Sequence, residues 1–249
     1  MSARYDFTST RLFVEADLAA GASVDLGDAQ ANYLRNVLRF APGDGLLLFN
    51  GRDGEWRART EEVAKKRVTV VVEEMTRPQT PPTGVDYLFA PLKHARLDYM
   101  VQKAVEMGVG RLRPVLTRRT QAARVNLERM RANVVEAAEQ CGVISAPEVL
   151  EPEPLEKALE AWPAEVPLAF CDEAADVADP MAALRGRASG ALGVLIGPEG
   201  GFDPAERAAL LRLPSVVRLS LGPRILRADT AAVAALALVQ AARDGDASF

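Results

Sequence analysis

The sequence predicts an α/β protein of two domains, a small β-barrel followed by a larger domain with a mostly parallel sheet. Three observations support this. Short strand patterns separated by turn signals fill residues 1–75. A stretch with three prolines and a glycine follows at 76–84 and is the best linker in the chain. Residues 85–249 then alternate apolar runs suited to buried strands with segments of helical spacing. We therefore place the domain boundary within 76–84.

The first domain is predicted to contain four strands and one short helix. The helix covers Asp28–Leu38, whose apolar residues fall on one face at helical spacing. Tight-turn pairs at Asn50-Gly51 and Asp53-Gly54 separate two of the strands. The predicted strands are Arg11–Val14, Leu46–Phe49, Glu55–Thr60 and Val68–Val72.

The second domain is predicted to alternate strands with helices. Its predicted strands are Tyr87–Ala90, Leu112–Leu116, Val166–Cys171, Ala191–Ile196 and Val216–Leu219. Gly108 and Gly142 are expected to end two helices. Another helix is expected to begin with Asp203 as its cap, Pro204 at the first helical position and Glu206 at the third. The acidic segment Glu151–Ala164 is expected to form a short surface helix and a loop. The alanine-rich Thr230–Arg243 is predicted as a long final helix.

Composition excludes several classes of protein. An apolar content of 49% and a charged content of 26% are typical of a soluble globular chain. No run of 18 apolar residues is present, and the first residues lack a secretory signal, so we expect a cytoplasmic location. One histidine and two cysteines argue against a zinc site and against serine or cysteine triads. We therefore expect no metal.

The charges are unevenly distributed along the chain. The net charge is −4, yet residues 88–124 carry eight basic and only two acidic side chains. Residues 125–190 carry five basic and thirteen acidic side chains. Because salt screens distant charges, a locally basic strip on an acidic protein can still bind phosphates. The alternative is that this strip is simply a solvated face.

Two strands of the second domain run into unusual loops. Residues 197–202, Gly-Pro-Glu-Gly-Gly-Phe, follow one strand, and residues 220–230, Ser-Leu-Gly-Pro-Arg-Ile-Leu-Arg-Ala-Asp-Thr, follow another. Ligands of open α/β sheets bind beyond the carboxyl ends of the strands. Neither loop matches a P-loop or a dinucleotide motif, and Glu199 would repel a phosphate but suits a cationic ligand. The alternative is a pair of tight turns without a ligand.

Six segments, in chain order, resemble the RsmE family of the SPOUT class of methyltransferases. They cover nearly the whole chain. The chain departs from that family's usual pattern at Ala31-Asn32, Val143 and Asp229. The matching segments are Arg11–Val14, Tyr33–Asp44, Lys93–Val109, Glu136–Gly142, Leu195–Phe202 and Leu221–Ala232.

The resemblance implies a function and a fold beyond what periodicity predicts. It implies methylation of N3 of one uridine in the 16S ribosomal RNA of the small ribosomal subunit, with S-adenosylmethionine as the cofactor. It also implies a homodimer and an N-terminal PUA-like barrel that binds RNA. In the C-terminal domain it implies a deep trefoil knot that brings the two loops together, a topology rare among folds.

The resemblance also implies roles for individual residues. Arg227 is the first candidate to stabilise charge on the uracil and Arg224 the second, while Asp229 is expected to orient an arginine, accept a proton or cap the last helix. The implied cofactor pocket comprises Ile196, Gly197, Glu199, Gly200, Leu219, Leu221, Gly222, Ile225, Leu226 and Thr230. The basic residues expected to contact RNA are Arg11, Arg35, Arg39, Lys93, Arg96, Arg118 and Arg119.

Three alternatives stay open at this point. The chain could be a methyltransferase of the same class with another target, such as transfer RNA. It could be an RNA-binding protein that kept the fold without catalysis. It could also be an unrelated α/β nucleotide enzyme, which protection by ATP rather than by S-adenosylhomocysteine would reveal.

Overall fold

The computed structural model describes residues 6, 8–64, 67–122, 124–175 and 179–246, without the side chains of residues 94 and 244–246. The chain divides into two compact units. One comprises residues 1–81 together with 138–146, and the other comprises residues 82–137 together with 147–249. The division near residue 81 lies inside the predicted linker. The return of residues 138–146 to the first unit was not indicated by the sequence.

The first unit is built on a five-stranded sheet in the order β1-β3-β4-β5-β2. Strands β1 and β3 are parallel, and all other neighbours are antiparallel. Four strands were predicted; β2 was missed because it is three residues long, with only its central residue buried. The strands are β1 (Arg11–Phe13), β2 (Ser23–Asp25), β3 (Gly45–Phe49), β4 (Glu55–Val63) and β5 (Val68–Arg77).

The helix predicted over residues 28–38 is not a regular α-helix. Helix α1 covers only Asp28–Asn32, and Tyr33–Val37 continues as a π-helical turn. A π-turn has more residues per turn than an α-helix and therefore changes which side chains share a face. Leu34 is fully buried, whereas Tyr33 and Val37 are 40% and 62% exposed. The single apolar face expected of this segment was therefore wrong.

Arg11 is buried and structural. Its Nε lies 2.8 Å from Glu55 Oε2, and its Nη1 donates to the carbonyl oxygens of Ala138 and Glu139 at 2.8 and 3.1 Å. These carbonyls end helix α3 (Leu127–Cys141), where a cation is favourable because the terminal carbonyls lack helical partners. The RNA contact expected of Arg11 is corrected accordingly, since its guanidinium is occupied inside the first unit.

The second unit contains the parallel sheet predicted from its apolar runs. Six strands pair in the order β12-β10-β11-β6-β7-β8, and every pair is parallel. The two-residue β9 (Glu153–Pro154) pairs with β7 beyond this path. The six strands are β6 (Val85–Phe89), β7 (Arg111–Leu116), β8 (Glu148–Val149), β10 (Leu168–Cys171), β11 (Leu192–Ile196) and β12 (Val216–Leu219).

The helices of the second unit begin and end where local chemistry dictates. Asp203 and Glu206 form a reciprocal capping box at the start of α6, as predicted. The short surface helix expected in the acidic segment is α4, with Glu156, Lys157 and Glu160 exposed. Its inner face is buried, since Leu155 and Leu159 belong to a core cluster. Besides α3 and α4 (Leu155–Glu160), the helices are α2 (His94–Glu106), α5 (Pro180–Leu184), α6 (Pro204–Arg212) and α7 (Ala228–Asp246). Across the described residues, the structure contains no helix long and apolar enough to cross a membrane.

Candidate active site

A cavity of ≈ 330 Å³ lies at the carboxyl ends of β10, β11 and β12. The last residue of each strand, Cys171, Ile196 and Leu219, lines it. Its volume lies within the range of small-molecule sites, about 300–1,000 Å³. Because β10 pairs with both β11 and β12, the loops that follow all three strands meet around one space. Sequence reasoning placed the site at this edge but used only two of the three loops.

Most of the residues predicted for the site line this cavity. Those on the lining are Ile196, Gly197, Glu199, Leu219, Leu221, Gly222, Arg224, Ile225, Leu226 and Arg227. Three predicted residues lie outside the lining: Gly200, Asp229 and Thr230. The two loops are therefore brought together as expected, with these three residues at their margins.

The loop after β10 contributes residues that the sequence reasoning missed. Asp172 and Glu173 directly follow the strand and line the cavity. The exposed carboxylate of Glu173 comes close to the first loop, since a β-carbon on Gly201 would lie 3.3 Å from its Oε1. The signal was present in the sequence, because a buried strand followed by Asp-Glu obeys the same rule that selected the other two loops.

Asp172 fixes the base of this third loop. Its buried carboxylate lies 2.8 Å from Arg207 and 2.9 Å from Arg218. Burial acts to raise the pKa of Asp172, but hydrogen bonds from Arg207, the Ala174 backbone and Arg218 outweigh it and lower the pKa. A charged, fully hydrogen-bonded carboxylate at this position holds the loop rather than reacting.

The first loop, residues 197–202, folds back on itself. A β-carbon at Gly197 would lie 2.5 Å from the ring of Phe202, so only glycine allows this ring to close over the backbone. Phe202 in turn packs edge-on against Phe170 with ring centroids 5.3 Å apart. Arg119 Nη1 donates to the carbonyl oxygen of Gly200 at 2.7 Å and supports the loop from the segment after β7.

The second loop, residues 220–227, is open on one side. Gly222 has a φ of 100°, a conformation that other residues rarely adopt, and a β-carbon there would meet nothing within 4 Å. Ile225 is 92% exposed. The guanidinium groups of Arg224 and Arg227 make no hydrogen bond or ion pair within the part of the chain that the structure describes. The loop therefore presents two uncommitted cations and apolar surface beside the cavity.

Arg96 joins the first loop to the last helix. From the first turn of α2, its guanidinium forms ion pairs with Glu199 of the first loop and with Asp229 in the first turn of α7. The Nε of Arg96 lies 3.1 Å from Asp229 Oδ2, and its side chain is 31% exposed. Asp229 thus orients Arg96 rather than Arg227. The guanidinium expected to contact RNA instead connects two elements of the site.

The other predicted RNA contacts lie on the surfaces of their units. Arg39, exposed with a φ of 59°, follows the π-turn of the first unit, and Arg35 is half-buried, donating to Ala64 O at 3.3 Å. In the second unit, Lys93 is exposed immediately before α2. Arg118 is 58% exposed and lies 3.2 Å from Asp203 Oδ1.

Nucleophilic chemistry by the cavity's thiol is unfavourable. Burial raises the pKa of Cys171 to about 12, so the thiol stays protonated at neutral pH. Burial likewise raises the pKa of Tyr87, in the neighbouring β6, well above its usual value. In the described ranges of the chain, no group of histidine, cysteine, aspartate and glutamate side chains is arranged to hold a metal ion.

Comparison with known proteins fits this architecture. A family model described as an RNA methyltransferase domain matches residues 79–240, and one described as an RNA methyltransferase PUA domain matches residues 26–73. Because the first of these models covers more than half of the chain, the chain belongs to the class of RNA methyltransferases, with a PUA domain before its parallel-sheet domain. This agrees with the α/β fold and the N-terminal PUA-like domain expected from the sequence.

Individual relatives narrow the class to one family. The chain is 31% identical over 237 residues to ribosomal RNA small subunit methyltransferase E of Rickettsia conorii, covering 92% of this chain and 94% of that protein. It is 31% identical over 238 residues to the protein of the same name from Synechocystis, covering 93% and 77%. The chain belongs to the ribosomal RNA small subunit methyltransferase E family, as its sequence motifs predicted.

A solved relative carries a ligand. The crystal structure of a ribosomal RNA small subunit methyltransferase E from Neisseria gonorrhoeae, bound to S-adenosyl methionine, superposes with a TM-score of 0.78 at 30% identity. The match covers 94% of this chain and 97% of that one. The fold of the present chain is therefore that of a relative with a bound methyl donor.

Proposed function

We propose that this protein transfers a methyl group from S-adenosylmethionine to N3 of one uridine in the 16S ribosomal RNA of the small subunit. The observation that carries the proposal is the cavity at the ends of β10, β11 and β12. It is lined by the two loops whose motifs match the family, and a relative of 30% identity is crystallised with S-adenosyl methionine. Membership of the family supports ribosomal RNA as the substrate.

The side chains around the cavity suit this cofactor. Ile196, Leu219 and Leu226 offer apolar surface to an adenine ring, and the glycine loops expose backbone groups that can hydrogen-bond its edge. Glu173, which has no partner in the described part of the chain, offers a carboxylate to a cationic or hydroxyl group. The residues proposed to hold the cofactor are Glu173, Ile196, Gly197, Glu199, Leu219, Leu221, Gly222, Ile225 and Leu226.

When bound, the cofactor supplies an electrophilic methyl group on a positively charged sulfur. Transfer of this group to uracil N3 would break the sulfur–carbon bond, form a carbon–nitrogen bond and leave S-adenosylhomocysteine. N3 must lose its proton, finally to water, and the negative charge left by that loss is shared by N3, O2 and O4 of the ring until the new bond forms. The guanidinium of Arg227, and after it that of Arg224, is proposed to stabilise this charge, since neither is committed to another residue of the described chain. Asp229 is proposed as a positioning residue, because Arg96 already donates to its carboxylate.

The RNA is proposed to reach the site with the target base turned out of its stack, since N3 is inaccessible within paired RNA. Arg118 and Arg119 lie beside the first loop and are proposed backbone contacts, together with Lys93. Arg35 and Arg39 are proposed contacts of the PUA domain. Arg11 and Arg96 are not proposed as contacts, because Arg11 is buried in its ion pair with Glu55 and Arg96 is held by both Glu199 and Asp229.

Several features implied by the resemblance accompany this proposal. The protein is proposed to act in the cytoplasm, where ribosomes assemble, and as a homodimer. The C-terminal chain is proposed to form a trefoil knot. The cavity by itself requires none of the three, and they rest on the family's sequence motifs.

The decisive experiment offers the purified protein labelled S-adenosylmethionine and one of three substrates. These are small subunits from cells lacking the modification, naked 16S ribosomal RNA, and total transfer RNA. We expect label in the 16S RNA, mapped by mass spectrometry to a single 3-methyluridine. Label in transfer RNA alone, or at a carbon or ribose position, would overturn the proposal. Comparing intact subunits with naked RNA identifies which form is the substrate.

A further inference from the structure

A second cavity, of ≈ 480 Å³, lies between the beginnings of α2 and α3 in the second unit. Both helices begin after strands of the same sheet, α2 after β6 and α3 after β7. These strands continue the sheet from β11, so the second cavity lies along the same carboxyl edge as the first. Arg96, three residues after Lys93 of this cavity, contacts Glu199 of the first cavity. The two cavities are therefore neighbours.

The second cavity has an apolar floor. Val101 and Met130 are buried, and Leu97 joins them on the lining. Ala122, which is partly buried, leaves space on the opposite wall. Apolar surface of this size, open to solvent on one side, can accept the flat face of a nucleobase.

The rim of the cavity is polar and positively charged. Asp98, its acidic member, is compensated by Arg129, whose Nη2 lies 2.6 Å from Asp98 Oδ2. The side chains of Lys93 and Arg124 make no hydrogen bond or ion pair within the part of the chain that the structure describes. The rim therefore carries two uncompensated positive charges, and the side-chain amide of Gln121 adds hydrogen-bonding groups.

These properties match one ligand class. We infer that the second cavity binds a single nucleotide of the RNA substrate next to the methylated base, with the base against the apolar floor and its phosphate between Lys93 and Arg124. A base unstacked from its neighbours needs an apolar platform, and its phosphate needs cations, so both halves of the cavity are used. This inference rests on the proposed function, because it assumes that RNA reaches the first cavity.

Two variants test the charged rim and the apolar floor of this cavity separately. Lys93→Ala with Arg124→Ala removes both charges, and Ala122→Trp fills the space for the base while keeping them. Arg185→Ala with Arg212→Ala is the matched control, because it removes two exposed arginines at the ends of α5 and α6, away from the cavity. The probe is a fluorescent single-stranded fragment of 16S ribosomal RNA, titrated from low to high salt. Calorimetry with S-adenosylmethionine serves as a second readout.

The charge-removed variant is expected to bind the RNA more weakly and to lower the slope of log affinity against log salt by about 0.7, because the one phosphate held between these two cations is no longer neutralised. Ala122→Trp is expected to weaken binding about tenfold with the slope unchanged, since only the base contact is lost. Both should bind the methyl donor like the wild type, and the control should behave like the wild type throughout. Wild-type affinity and slope in both variants would overturn the inference.

A crosslink on the wild-type protein tests the same inference without substitutions. RNA carrying 4-thiouridine beside the target uridine should crosslink to peptides within residues 92–101 or 121–133, which line the cavity. A crosslink elsewhere would reject the site. Variants that change only the sedimentation of the protein would also reject it, because this face would then be a contact between copies of the chain. Wild-type methylation of small subunits is measured in parallel. Methylation without effects of the variants on RNA binding rejects this inference alone, and absent methylation rejects the proposed function.

Discussion

The Nε of Arg96 lies 3.1 Å from Oδ2 of Asp229, and the same guanidinium pairs with Glu199. One side chain on α2 thereby connects the loop after β11 to the first turn of α7. The two ends of the cofactor site are far apart in sequence, so a contact of this kind holds them in register. We expect the binding of the cofactor to depend on this contact of Arg96.

Removing this ion pair should loosen the site without abolishing the fold. We expect Arg96→Ala and Asp229→Asn each to weaken S-adenosylmethionine binding measured by calorimetry. The double variant should be less than additive, with a coupling energy of about 0.5–3 kcal/mol, because the two residues share one interaction. Arg129→Ala is the control, because it breaks an ion pair with Asp98 of the same helix α2 but outside the first cavity. Strict additivity would show that the pair does not organise the site.

Arg227 is expected to act on the reaction rather than on cofactor binding. Arg227→Ala should keep the affinity for S-adenosylmethionine and lower kcat by about 100- to 1,000-fold, the usual cost of removing one donor to a developing oxyanion. Arg224→Ala should lower it less. Single-turnover methylation of small subunits measures both. An unchanged rate for Arg227→Ala would remove it from the chemistry.

Gly222 should tolerate no side chain even though space is available. Its φ of 100° makes any other residue strained, so Gly222→Ala should shift the second loop at a cost of about 1–2 kcal/mol and weaken cofactor binding. Gly190 offers a matched control. A β-carbon there also meets nothing within 4 Å, and its φ lies outside the positive range that strains other residues. Equal affinities of the two variants would contradict the argument from strain.

The PUA domain is expected to contact RNA through Arg35 and Arg39. Replacing both by alanine should weaken binding of 16S ribosomal RNA and flatten its dependence on salt, because phosphate contacts release counterions. Arg57→Ala, which removes an exposed arginine of β4 in the same unit, should leave the salt slope unchanged. If the double variant keeps the wild-type slope, this surface of the first unit lies outside the RNA interface.

The buried network around Glu55 should make the first unit sensitive to acid. Burial acts to raise the pKa of Glu55, but hydrogen bonds and charges from Arg77 and Arg11 prevail, so its pKa lies below the usual 4.5. A carboxyl group with a lowered folded-state pKa adds stability above its unfolded pKa and loses it as the pH falls through the folded value. We therefore expect the urea concentration at the unfolding midpoint to decrease once the pH drops below about 4.5.

Substitution of Glu55 tests whether this residue causes the acid sensitivity. Glu55→Gln should lose about 3 kcal/mol at pH 7, because buried Arg11 would keep its charge without a counterion. The pH dependence of that variant should be shallower than that of the wild type. Glu73→Gln, which breaks an exposed pair with Arg59, should cost less than about 1 kcal/mol. Similar losses for the two variants would contradict a special role for burial.

Much of the fold was readable from local patterns. Apolar runs such as residues 191–196 predicted buried parallel strands because a strand covered on both faces needs no alternation. Asp203 and Glu206 predicted the start of α6 because a capping box depends only on neighbours in sequence. The π-turn at residues 33–37 escaped prediction, since packing against distant strands decides it.

The sequence by itself determined the family, the sheet type and the two loops that border the cavity, because these depend on short motifs and on the period of apolar residues. Only the tertiary structure decided the partners of the charged side chains. Arg11 faces the end of α3 and Arg96 joins Glu199 to Asp229, whereas the sequence favoured RNA for both arginines. The strand order also placed Glu173 between the two loops, because β10 lies between β11 and β12. The attraction between opposite charges depends on their distance in space, and the fold sets that distance rather than the separation of the residues along the chain.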